Sequence, residues 1–155
     1  RSVLPRVREA VPDVTVGLVG RNPTDAVRAL AGAGVAVSGA VDDVLPCLHH
    51  ARALVVPLRA GSGTRLKILE AMAAGTPVVS TPLGAAGIDA VDGEHLLLGE
   101  SAADLAAQAV RVLIDDDLAE RLSKAARALV EQRYDWGVFA PTVASVVADL
   151  VAPAP

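Results

Sequence analysis

The sequence predicts an α/β domain with a parallel, doubly wound sheet closed by C-terminal helices, and three observations carry that expectation. Short aliphatic runs alternate with helical patterns as far as "HLLLG", residues 95–99. Hydrophobic residues are 52% of the chain and aromatic residues only 2%, so the core must be built from Val, Leu, Ile and Ala. Such a core suits strands buried on both faces under helices. From Ser101 onward only helical patterns remain, and 155 residues are expected to form a single domain, residues 1–155.

Val3, Leu4, Val7 and Val11 keep helical spacing, and Pro12 ends that helix before the strand-like run "VTVGLVG", residues 14–20. A second helix over 24–31 has Thr24 as its N-cap candidate. "GVAVSG", residues 34–39, reads as a strand, and Asp42 or Asp43 can cap a helix running to Ala51. "ALVVPL" is a strand, 64–74 a helix, and "PVVST" and "HLLLG" two more strands. Helices are expected over 101–114, over 117–133 and after "YDWG", with Asp115, Asp116 and Asp117 favouring the N-terminus of the second of these.

A formal charge of −4 excludes a global basic field for nucleic acid or an anionic membrane, so any cationic binding must be local. The lone Cys47 forms no internal disulfide, three histidines make no zinc-spaced set, and the expected compartment is the cytoplasm. No apolar run approaches the length of a membrane span. The opening "RSVLPRVREAVPDV" has no signal-peptide core and reads as the start of a fragment of something longer.

The chemistry concentrates in "VVPLRAGSGTRLKILEAMAAGTPVVST", residues 55–81, where Arg59, Arg65 and Lys67 gather around the start of a helix. That end of a helix is already positive, so added cations are mildly destabilising unless an anion faces them. On a helical wheel Leu66, Ile68, Leu69, Met72 and Ala73 cover most of the circumference, predicting a helix buried on nearly all sides with Lys67 and Glu70 sharing a narrow polar stripe. One reading makes Lys67 and Glu70 an i,i+3 ion pair. The other makes Gly61, Gly63, the loop amides and Lys67 a cradle for a phosphate at the carboxyl end of a strand, with Glu70 one turn deeper to accept from a ribose diol. Neither G-x-x-x-x-G-K-[ST] nor G-x-G-x-x-G is present.

That stretch, preceded by "VSGAVDDVLPCLHHARALVV" and followed by "RYDW", resembles the C-terminal, Rossmann-like domain of retaining glycosyltransferases of the GT-B fold, family 4, over about Leu18 to Val151. The resemblance implies a domain that holds a nucleotide-diphospho-sugar and transfers the sugar with retained configuration, without a metal or other cofactor. Glu70 matches the family's ribose-binding glutamate, and Ser62 stands where many members carry another glutamate. Amides at Ser62, Gly63 and Thr64 then serve the sugar or the diphosphate, Lys67 stabilises the diphosphate, and Arg59 and Arg65 are further substrate-binding candidates. "GAVDD" resembles the segment bordering the nucleobase, which adds Val41 and Asp43.

The resemblance also implies that the first strand of this domain and the whole N-terminal acceptor domain lie outside the 155 residues, so the fragment alone is expected to be inactive. Any peripheral membrane association would run through that missing domain. The sheet is expected to be completed by rearrangement, by strand exchange in a homo-oligomer or by another chain. Trp136 reads as a packing anchor, Cys47 as a small core residue, and Arg59 equally as a solvated loop residue. Two alternatives stay open: a non-catalytic α/β nucleotide-binding or oligomerisation module, and another GT-B-like enzyme such as a nucleotide-sugar epimerase.

Overall fold

Two parallel sheets carry the domain in the computed structural model, which describes residues 2–61, 63 and 65–151. The order is α1 (Leu4–Ala10), β1 (Val16–Leu18), α2 (Asp25–Arg28), β2 (Val35–Val37), α3 (Leu45–His50), β3 (Leu54–Val56) and α4 (Leu66–Ala73). It continues with β4 (Val78–Ser80), α5 (Pro82–Ala85), β5 (Leu97–Leu98), α6 (Ala102–Ile114), α7 (Asp116–Arg133) and α8 (Trp136–Val151). The alternation and the helical end follow the sequence pattern; only the short α5 was not expected.

β1 pairs with β2, Val16 opposite Val35 and Leu18 opposite Val37. β3 and β5 flank β4, with Leu54 opposite Val78 and Val79 opposite Leu97. β4 is buried on both faces, as an aliphatic run at the centre of a parallel sheet must be. Its Val78 side packs with Leu48, Val56, Ile68, Met72, Leu96 and Ala126 beneath α3, α4 and α7. Its Val79 side packs with Leu97, Leu105, Val112, Leu118 and Leu122 beneath α6 and α7. α1 seals the latter face through Val7 against Ala106 and Ala109.

The helix ends are closed by the residues their sequence offers. Ser101 and Asp104 form a reciprocal capping box on α6, and the backbone and hydroxyl donors of Ser101 hold the Asp104 carboxyl below the usual carboxylate range. Asp115 caps α7 by accepting from the Leu118 amide at 2.9 Å, with Asp116 and Asp117 in the first turn. Thr24 makes no side-chain cap on α2.

Four expectations are corrected. Cys47 is exposed and not in the core, since Leu48 is the residue of α3 that turns inward. α4 is buried on one side only, through Ile68, Ala71 and Met72, while Leu66 is exposed, because the loop before it leaves its first turn uncovered. Trp136 is 80% exposed and anchors nothing; it opens the apolar strip of α8 with Val143 and Val147, which has no partner among the described residues. Rearrangement does not complete the sheet, since among the described residues no ladder joins β1 to β3. No helix among the described residues is long and apolar enough to cross a membrane.

The burial contrast sets a stability test. Leu122→Ala, in a side chain with no exposed surface, should cost about 2–5 kcal/mol in urea unfolding. Trp136→Ala should change stability by less than about 0.5 kcal/mol, as an exposed substitution does.

Candidate functional site

The loops that follow β2, β3 and β4 leave at the carboxyl edges of their parallel strands, where open α/β sheets hold ligands. The loop after β3 runs through Gly61 and Gly63 at φ of 136° and 96°, a backbone that a side chain would strain. A Cβ at Gly63 would meet nothing, so this turn faces open space. Arg65 then occupies the cap position of α4 with no side-chain cap bond, and the Ile68 amide already folds back on its carbonyl at 2.8 Å. The first amides of α4 are therefore left without an intrahelical acceptor, as at any helix start.

Lys67 and Glu70 are both exposed, and among the described residues neither forms an ion pair or side-chain hydrogen bond. Lys67 thus keeps its charge open to solvent in the first turn, and Glu70 lies on the same face three residues on. Arg59 is exposed in the loop. Arg65 is committed to the fold instead: its Nη2 donates to the Leu83 carbonyl at 3.1 Å and, weakly, to Gly61 at 3.4 Å. Its Nε is buried with no acceptor among the described residues. Ser62 and Thr64 lie outside the described residues.

Val41 and Asp43 belong to the next loop along the edge, after β2. Asp43 accepts from the Leu45 amide at 2.9 Å and so starts α3, which packs on α4 through Val44 and Leu48. Both residues are exposed, and no hydrogen bond joins them to the described residues of the loop after β3. No group of His, Cys, Asp and Glu among the described residues is arranged to hold a metal.

What holds the loop was not singled out in the sequence. Thr81, at the end of β4, donates its hydroxyl to the Leu58 carbonyl at 2.6 Å and accepts from the Gly84 amide at 3.0 Å. Ser80 donates to the Thr81 carbonyl at 3.0 Å beneath it. A methyl on Gly84 would fall on Ser80 Oγ and lie 3.1 Å from both Thr81 Oγ1 and the Val56 carbonyl. The Tyr134 hydroxyl accepts from the Asp89 amide at 2.8 Å and Arg133 approaches the Asp89 carboxylate, so Arg133 and Tyr134 anchor the loop after α5. The available signal was the run of small and hydroxyl residues in "STPLG" directly after a buried strand.

Fold and site together define a class: a parallel α/β domain whose glycine-broken loop, open helix start and two free opposite charges share one carboxyl edge. Comparison with known proteins narrows it. The sequence profile of the Glycosyl transferases group 1 matches residues 1–116, and the chain belongs to that family. It is 37% identical over 150 residues to the phosphatidyl-myo-inositol mannosyltransferase of Mycobacterium leprae, covering 92% of this chain and 40% of that protein. The chain thus spans about two fifths of the length of the curated relatives it matches. Anabaena HepE, solved with UDP and glucose, shares the fold at a TM-score of 0.83 and 21% identity, over 95% of this chain and 44% of that one. The C-terminal domain of the group 1 glycosyltransferase LpcC from Francisella tularensis superposes at 0.71 and 21% identity, over 87% and 79% of the two chains. The architecture is that of the C-terminal half of a GT-B glycosyltransferase.

The Thr81 knot makes a further test. Gly84→Ala should destabilise by about 1–3 kcal/mol in thermal or urea unfolding, because the neighbours it meets are backbone and buried hydroxyls. Gly63→Ala, whose only obstacle is its positive φ, should cost about 1 kcal/mol.

Proposed function

We propose that the chain is the donor-binding domain of a retaining, family 4 glycosyltransferase, which holds a nucleotide-diphospho-sugar at the Gly61–Glu70 segment and passes the sugar to an acceptor bound largely by a separate N-terminal domain. One observation carries the reading: Lys67 and Glu70 are exposed and free of each other beside an open helix start, although an ion pair lies within their reach. A cation kept free at a positive helix end is offset by an anionic ligand. The relatives support the direction, since one is named a mannosyltransferase and HepE is solved with UDP and glucose.

In this reading the loop amides at Ser62, Gly63 and Thr64 and the α4 dipole face the diphosphate, Lys67 neutralises it, and Glu70 accepts from the ribose hydroxyls. Arg59 is exposed in the loop and reaches the diphosphate, whereas Arg65 holds the loop's shape by bonding Leu83. Val41 and Asp43 border the base. As the glycosidic bond breaks, negative charge grows on the leaving nucleoside diphosphate while the sugar becomes oxocarbenium-like. Donors already aimed at that oxygen stabilise the charge without reorganising, each worth about 2.7–4 kcal/mol in a formed site. This chemistry draws on no metal. The domain alone lacks the acceptor half and is expected to transfer nothing.

Titration calorimetry with UDP, GDP and ADP tests the site. One nucleotide should bind, and Glu70→Ala should weaken it roughly tenfold to a hundredfold, the worth of a charge-assisted hydrogen bond of about 1.5–3 kcal/mol. Lys67→Ala should weaken the diphosphate and leave the nucleoside unaffected. Equal affinities in wild type and both variants would remove the reading.

A further inference from the structure

Beyond the loop that leads to Lys67, two more loops share the carboxyl edge. Leu18 of β1 lies level with Val37 of β2, and the Ser38 amide closes that ladder on the Leu18 carbonyl at 3.0 Å. The loops after β1 and β2 therefore leave side by side, about 4.8 Å apart. Both start in open space, since a Cβ at Gly20 or at Gly39 would meet nothing. Each presents aliphatic side chains to solvent, Val19 from the first and Val41 and Leu45 from the second. Singly such residues are ordinary; three on two adjoining loops make an apolar surface where ligands bind.

Arg21 stands exposed in the first of these loops. Asn22 takes φ of 48°, the left-handed region that Asn tolerates, and Pro23 fixes the next φ, so the turn that carries Arg21 is preset. Asp25 follows four residues on, and Asp42 and Asp43 stand in the neighbouring loop. Among the described residues Arg21 nevertheless enters no ion pair. Asp43 is already engaged by the Leu45 amide at 2.9 Å.

We propose that Arg21 selects the nucleobase of the donor: it donates to a ring carbonyl, so the site takes a guanosine or uridine diphosphate in preference to an adenosine or cytidine diphosphate. The assignment rests on the donor site proposed above and deepens it. Charge decides which end of the nucleotide lies here. Asp42 and Asp43 repel phosphate, whereas Arg59 and Lys67 attract it at the start of α4, which leaves the base for the loops after β1 and β2. The aliphatic side chains suit the face of a planar ring, and a polar group must then read its edge. A guanidinium offers donors only, in a planar fork. Guanine presents O6 and N7 to such a fork, and uracil presents O4; adenine and cytosine place an amino group, itself a donor, where those oxygens stand. Against an amino group Arg21 gives up water and gains no acceptor there.

Titration calorimetry with GDP, UDP, ADP and CDP tests this, since the four share ribose and diphosphate and differ only in the base. Whichever of GDP and UDP binds more tightly should exceed ADP and CDP by about tenfold or more, the scale of one hydrogen bond to a charged group. Arg21→Ala should abolish that preference and leave urea unfolding unchanged, as an exposed substitution does. Arg21→Lys, which keeps the charge and loses the fork, should restore only part of it. Glu70→Ala should weaken all four nucleotides alike and preserve the ratio. A wild type that favours ADP or CDP, or binds all four equally, would overturn the assignment while leaving the donor site standing. So would an Arg21→Ala variant that weakens every nucleotide by the same factor, which is the mark of a general attraction for phosphate. Binding of none of the four would remove the donor site and the assignment with it.

Discussion

The hydroxyl of Thr81 ties together the parts of this molecule that matter most. It is buried at the end of β4, donates to the loop after β3 and accepts from the turn into α5. A buried hydroxyl costs free energy unless both its roles are filled, and here the two partners are backbone groups of neighbouring loops. The knot works because β4 is wholly inside, with Val78 and Val79 packed to opposite faces. It also requires Gly84, since no side chain fits between Ser80, Thr81 and Val56. Arg65 extends the tie from the start of α4 to Leu83. A loop that carries two positive-φ glycines is thereby held without giving up its open face.

Much of this was legible in the sequence, for identifiable reasons. Aliphatic runs bounded by Gly and Pro located every strand, because a parallel strand has no polar face to confuse the pattern. Lys67 and Glu70 were visible as the polar stripe of α4. The extent of that stripe was not, because a wheel cannot tell which apolar residues find a partner: Leu66 and Ala73 are exposed where the loop and the turn leave them. Trp136 failed for the same reason, since size suggests burial only if a neighbour exists. Arg65 looked like its neighbouring cations, yet its guanidinium is spent on two carbonyls, and only the fold brings Leu83 to it. Thr81 carries no sequence signal beyond its place after a strand.

Electrostatics separates the three cations of the loop. Arg65 bonds carbonyls, which neutralises no charge but fixes geometry. Lys67 sits in the first turn of α4, where a cation opposes the dipole by about 0.3–1 kcal/mol. Pairing with Glu70 would relieve that cost by about 0.2–0.5 kcal/mol, and the pair is not made. Both terms are small beside the gain from a doubly charged diphosphate in the same place. An uncompensated Lys67 is what the diphosphate site proposed above requires.

Among the described residues no ladder joins the two parallel sheets. The loops after β2, β3 and β4 leave at the carboxyl edges of parallel strands, the side on which open α/β sheets bind ligands. What keeps the halves together is then the helical layer: α1 on α6, with Val7 between Ala106 and Ala109, reaching from Val14 on one sheet to Val55 on the other. Side-chain packing on one face substitutes for a ladder through the core. Gly17 and Val19 of β1 are exposed, and among the described residues the cluster under α1 is the core that the smaller sheet shares with the rest of the fold.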